Sequence, residues 1–142
     1  MLTKYMDDGQ QLESNLKEKY IKAIIRRGLK DWLDFFDGVD ALVKAGAAEE
    51  VTYHINYNRA SAKKWVDRFT LKETQKQADV LRKKVNKQFT SLSSSSFLQS
   101  LWEGIGNEFL NHFDRFQNLL TVAYNDTIAF SLNRHDIATI FY

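Results

Sequence analysis

Apolar residues at Leu12, Leu16, Tyr20, Ala23 and Ile24 recur at steps of three and four, so they share one face of a helix running from about residue 10 to 27. Gly28 ends or kinks it. A second stripe follows at Leu29, Trp32, Leu33, Phe36, Val39 and Val43, with Gly46 placed just beyond it for a left-handed C-cap. From Asn58 the helical period returns with Ala62, Trp65, Val66 and Phe69. The next apolar set, Leu71, Ala78, Leu81, Val85, Phe89 and Leu92, falls on the opposite side of the same imaginary helix, so something must reset the phase. Thr70-Leu71-Lys72-Glu73 has the form of a capping box and starts a new helix at Thr70. The alternative is a kink, or one long helix with two contact faces.

Thr90 to Ser96 is a serine-rich tract, and serine hydroxyls compete for nearby backbone groups, so the tract predicts a turn between two long helices. Ser96 with Gln99 offers a second capping box. Beyond it Leu98, Trp102, Ile105, Phe109, Phe113, Phe116, Leu120, Ala123 and Phe130 form the strongest helical stripe in the chain and predict its core helix over 97–132. Gly104 and Gly106 weaken its first turns, and Asn125-Asp126 marks a break.

One stretch changes period. In Val51-Thr52-Tyr53-His54-Ile55-Asn56-Tyr57 the apolar residues Val51, Tyr53, Ile55 and Tyr57 alternate with polar ones, which predicts a short β-strand near 51–57. A lone strand needs a neighbour for its backbone groups. The run Ile137 to Tyr142 is the other β-compatible segment, and a second copy of the chain is the alternative, making 51–57 a candidate oligomerisation segment. The competing expectation is that tertiary contacts keep it helical or irregular.

The fold class expected is therefore mainly α: a bundle of about five helices with a long C-terminal helical hairpin. Residues 1–142 read as one helical domain, with N-terminal helices over 10–45, basic helices over 59–90, the serine-rich turn over 91–96 and the aromatic helix over 97–132. Composition agrees. The chain has 142 residues, 44% hydrophobic, with no proline, and proline is what most often interrupts long helices. No cysteine is present, which removes disulfide scaffolds, thiol chemistry and cysteine-ligated zinc. Met1 to Lys30 mixes charge into every turn, unlike a signal peptide, and no apolar run is long enough to span a bilayer. A cytoplasmic location and no membrane partner are expected.

The net charge of +2 conceals a segregation. Residues 1–58 carry 8 basic and 10 acidic side chains, 59–96 carry 10 and 3, and 97–142 carry 2 and 5. On the helix from Thr70, Lys72, Lys76, Lys83 and Lys87 lie within about 60° of one another in projection. Such a row can track phosphates or an acidic protein partner; the plainer expectation is a solvated face. Asp31, Asp34, Asp37 and Asp40 spiral around their helix and do not converge on one metal. They suit a helix start.

The chain lacks the motifs of nucleophilic, phosphate-binding and His-Glu metal sites. Glu108 and His112 stand one turn apart, but two ligands do not hold a metal, and His112 sits among Phe109, Phe113 and Phe116 as a partly buried histidine. Arg134-His135-Asp136 is a polar cluster without a nucleophile. No catalytic residues, cofactor or metal are expected. Trp102-Glu103-Gly104, ahead of an aromatic helix, resembles the Trp-x-Gly turn of the small helical-hairpin proteins exported by type VII secretion. The resemblance covers about 70–132 and implies a secreted hairpin. The chain departs from that pattern in its long N-terminal extension, in a Trp well past the serine turn, and in lacking a Tyr-x-x-x-Asp/Glu signal, since Tyr124 is followed four positions on by Ile128.

The function expected is a non-enzymatic interaction or assembly subunit, because ten Phe, six Tyr and three Trp exceed what a bundle of this size readily hides. Its partner is a protein or a second copy of itself. A viral or phage structural component fits that profile, although no residue demands it. The rival is a basic-helix module that binds nucleic acid or an acidic protein through Lys72, Lys76, Lys83 and Lys87.

Overall fold

The computed structural model describes the backbone of residues 2–89, 95–125 and 127–142, and the side chains of 15–89, 96–125 and 127–142. The expected contributions of Leu12, Leu92, the turn residues Thr90 to Ser94, and Asp126 lie outside those described. Six α-helices follow one another: α1 (Leu2–Gly28), α2 (Lys30–Lys44), α3 (Arg59–Arg68), α4 (Leu71–Phe89), α5 (Ser95–Tyr124) and α6 (Arg134–Phe141), with a 3-10 helix over Ala48–Tyr53 between α2 and α3. The fold is mainly α as the periodicity required, with seven helices among the described residues where about five were expected.

The local signals explain most boundaries. α1 passes into α2 through the single buried residue Leu29, whose N–H still donates to the Ile25 carbonyl at 2.9 Å, so Gly28 bends the chain more than it stops it. Gly46 adopts φ +80°, the left-handed conformation open to glycine, just past α2. Asn58 caps α3 by accepting from the Ser61 N–H at 2.9 Å. Thr70 Oγ1 accepts from the Glu73 N–H at 3.1 Å, which starts α4 where the apolar phase had to reset. Phe69, in the break between α3 and α4, is buried.

Five expectations need correction. The segment 51–57 is no strand. It closes in i, i+3 turns, with His54 N–H donating to the Val51 carbonyl at 3.1 Å and Tyr57 N–H to the His54 carbonyl at 3.0 Å. Its backbone groups are satisfied locally, and its alternation does not sort into two faces. Val51 is fully buried and Tyr57 packs inward, whereas Tyr53 and Ile55 are 87% and 81% exposed. The run from Ile137 is likewise helical, because Asn133 and Asp136 form a reciprocal capping box that nucleates α6.

The core helix does not reach 132. Asn125 turns into the left-handed region at φ 52°, and Thr127 then bonds back to the Tyr124 carbonyl. Phe130 nevertheless joins the core from the loop, its ring 5.1 Å from both Phe113 and Phe69. At the other end α5 already begins at Ser95, so Ser96 lies inside the helix and is not its cap. Trp102-Glu103-Gly104 also lies inside α5 and forms no turn, which removes the geometric basis of the likeness to secreted Trp-x-Gly hairpins.

The core collects on α5. Phe109, Phe113, Phe116 and Leu120 are buried as their spacing predicted, and Phe116 stacks on Phe36 of α2 at 4.3 Å. In the N-terminal half of α5 the buried residues shared with α1 and α4 are aliphatic, Ile21, Ile24, Ile25, Leu81, Val85, Leu101 and Ile105, while at the margin Phe97 packs on Phe89 and Arg82 lies over Trp102. The weak helix formers Gly104 and Gly106 have a packing reason. A Cβ on Gly104 would stand 2.6 Å from Ile21 Cδ1, and one on Gly106 2.9 Å from Phe141 Cβ.

Candidate functional site

Two surfaces and one polar cluster carry chemistry the core does not use. The first surface is the knuckle formed by the 3-10 helix and the turn after it. It is pinned from below: the Tyr124 hydroxyl donates to the Tyr57 carbonyl at 2.6 Å, and the Tyr57 ring packs against Phe35 and over Gly38. Burial holds the Tyr124 phenol well above its ordinary pKa, so it stays protonated as a donor. A Cβ at position 38 would meet the Tyr57 hydroxyl at 2.0 Å, so this approach requires glycine. Tyr53 and Ile55 thus stand out on a fixed support. Of the four residues expected to form one apolar face, only these two are available to another molecule.

The second surface is a groove of about 610 Å³ between α1 and α4. Tyr20 and Ile24 of α1 form its apolar side, with the Tyr20 hydroxyl donating to Gln88 Oε1 at 2.6 Å. Arg27 from α1 and Lys84 and Lys87 from α4 add three cations. None of the three pairs with a carboxylate among the described residues. Lys72, Lys76, Lys83 and Lys87 are all exposed, as the projection predicted, but only Lys87 lines the groove. Helical projection within α4 could not reveal Arg27, which arrives from α1. Lys84 was missed because it lies off the axis of the lysine row.

The groove continues at Tyr20 into a smaller, almost wholly apolar cleft of about 180 Å³ lined by Leu16, Phe89, Phe97 and Leu101. Leu16 is well exposed there. One track along α1 therefore runs from an apolar end to a basic end.

The polar cluster ties three helices together. Arg115 of α5 donates to Asp37 Oδ1 at 2.6 Å and Asp40 Oδ2 at 3.1 Å, and Lys44 also meets Asp40 at 3.1 Å. Arg26 of α1 stands 3.9 Å from Asp37. Burial acts to raise the Asp40 pKa, but its bonds to Lys44 and Arg115 outweigh that and hold it below the ordinary carboxylate value. Thus two of the four aspartates read as a helix-start feature instead receive an arginine from across the bundle. Beside them His112 meets Glu108 at 3.2 Å. Burial pushes its pKa down, and that effect exceeds the opposing pull of Glu108. Among the described residues no three metal-ligating side chains come together. In the C-terminal polar cluster Asp136 is consumed by the α6 cap, and Arg134 meets Asp114 at 3.3 Å.

No helix among the described residues is long and apolar enough to cross a membrane. The family model described as exocyst complex component Sec3, C-terminal, matches residues 1–126. The mouse (Mus musculus) protein named exocyst complex component 1 is 28% identical over 118 residues, covering 82% of this chain and 13% of that protein. The Dictyostelium discoideum protein of the same name is 22% identical over 130 residues, covering 92% of this chain and 15% of its own length. This chain therefore spans only a small part of the curated relatives it matches. No solved structure matches it.

Proposed function

The chain belongs to the Sec3 C-terminal family of exocyst components, and from that premise we propose that it acts without catalysis, as a helical assembly unit of an exocyst-type complex. The observation that carries this reading is the family match over 126 of 142 residues. The geometry supports it, because a rigid bundle that projects Tyr53 and Ile55 from a pinned knuckle offers the apolar anchors common at protein interfaces. The relatives are components of a cellular complex, so the viral or phage assignment that composition allowed is set aside. Nucleic acid gains no support from these relatives, and the partners proposed are the other subunits of the complex.

The test is affinity purification of the tagged chain from its own cells, with co-purifying proteins identified by mass spectrometry. Other exocyst subunits should be recovered, and Tyr53→Ser/Ile55→Ser should reduce their recovery without changing the thermal midpoint. Recovery of no exocyst subunit by the wild-type chain would overturn the reading.

A further inference from the structure

We propose that the track between α1 and α4 is a docking groove for an acidic, amphipathic helix of a partner protein. The proposal rests on the assembly reading and adds which surface is used and what chemistry fills it. Leu16, Tyr20, Ile24 and Arg27 follow one another at helical steps along α1 and border the two joined clefts. The eleven helical steps from Leu16 to Arg27, at about 1.5 Å each, give a track of about 16 Å, or some three turns of a docked helix. Its Leu16 end is lined by Phe89, Phe97 and Leu101 and accepts apolar side chains. At its other end Arg27, Lys84 and Lys87 have no carboxylate partner among the described residues.

Three like charges gathered on one groove repel one another, and an anionic occupant relieves that repulsion. A strand of phosphates would satisfy the cations but leave the Leu16 cleft unfilled. A helix with apolar residues at three and four spacings toward one end and Asp or Glu toward the other fits both ends. The α1 and α4 side chains facing the groove are Tyr20, Ala23, Ile24, Gln88 and the three cations, with one ring among them, whereas the space around Phe113 is filled by rings.

The test is fluorescence anisotropy of the full chain with a labelled synthetic helix that carries leucines at i, i+4 and i+7 toward one end and glutamates toward the other. A twin peptide has every glutamate replaced by glutamine. The acidic peptide should bind, and the glutamine twin should bind at least about tenfold more weakly. Arg27→Glu/Lys84→Glu/Lys87→Glu should weaken the acidic peptide by at least about tenfold, while Lys72→Glu/Lys76→Glu/Lys83→Glu, the same charge change outside the groove, should shift it less than about threefold. Unchanged circular dichroism in both variants separates loss of binding from loss of fold.

Equal weakening by the two triple variants would overturn the proposal, as would failure of the wild-type chain to bind the acidic peptide. Competition by phosphatidylserine vesicles or by a single-stranded oligonucleotide as strong as that by unlabelled peptide would assign the groove to phosphate and overturn it too. Recovery of exocyst subunits by the wild-type chain reports on the assembly reading alone, so either idea can fail while the other stands.

Discussion

The two halves of α5 face different kinds of neighbour. Toward its C-terminus, Phe109, Phe113 and Phe116 meet Phe36, Phe69 and Phe130, and rings from α2, the α3–α4 junction and the 127–133 loop fill the space. Toward its N-terminus the buried contacts with α1 are aliphatic, rings meet at the margins where Phe97 packs on Phe89 and Trp102 on Phe141, and α1 and α4 leave the groove and cleft between them. Rings supply large contact area from few residues and close gaps at close-packed density. Stability therefore concentrates on this aromatic side, and the room for a partner lies toward the other end of α5. The knuckle sits between these roles, since Val51 and Tyr57 belong to the core while Tyr53 and Ile55 do not.

The contrast breaks most sharply at Phe113. Phe113→Ala should cost about 3 to 5 kcal/mol, because ring burial is lost and a cavity remains among Phe69, Phe109 and Phe130. An unchanged urea midpoint would mean that the aromatic side is not the stabilising one. Gly38→Ala should cost about 1 to 3 kcal/mol by driving a methyl group into Tyr57, and the additional loss should shrink in a Tyr57→Ala background. Equal costs in both backgrounds would show that the knuckle is not seated there.

Arg115→Ala should cost about 1 to 2 kcal/mol, because it leaves Asp37 and Asp40 facing each other without their shared donor, with solvent moderating the loss. The difference from wild type should narrow in high salt. A smaller effect is expected from pH. The folded His112 pKa lies below its ordinary value near 6.5, so the unfolded chain binds the proton more readily. The stability this contributes is complete above about pH 6.5 and is lost as pH falls through the folded pKa. Thermal midpoints measured downward from pH 7 should therefore decline, and His112→Gln should flatten that decline. A wild-type curve flat through this window would contradict the burial of His112. Least of all, Tyr53→Ser/Ile55→Ser should move stability by under about 0.5 kcal/mol, since neither side chain contributes to the core. A larger loss would place them in the fold and not in an interface.

What the sequence made legible follows from range. Helix stripes, the Gly46 cap and the Thr70 start depend on residues within a few positions; the cap and the start appear in the structure, and among the described residues the stripes do too, except at exposed positions such as Leu16 and Leu71. The 51–57 segment misled because alternation and β-rich composition are local facts, whereas Val51 and Tyr57 are drawn inward by α2 and α5, far away in sequence. The end of the core helix was marked by Asn125-Asp126, yet Phe130 kept the helical spacing and still packs into the core from a loop. For the candidate site, exposure of the lysine row was readable within one helix. The groove was not, because it exists only where Arg27 and Tyr20 of α1 meet Lys84 and Lys87 of α4. The Arg115 clamp on Asp37 and Asp40 was hidden for the same reason.

The most direct measurement of the central claim, that the bundle lends its exposed Tyr53 and Ile55 to a partner, is amide hydrogen exchange on the free chain and on the chain in its assembled complex. Amides over 52–56 should slow by at least about tenfold in the complex, while those of 109–120 in α5 should exchange at the same rate in both. Exchange over 52–56 that is identical in the two states would contradict the account.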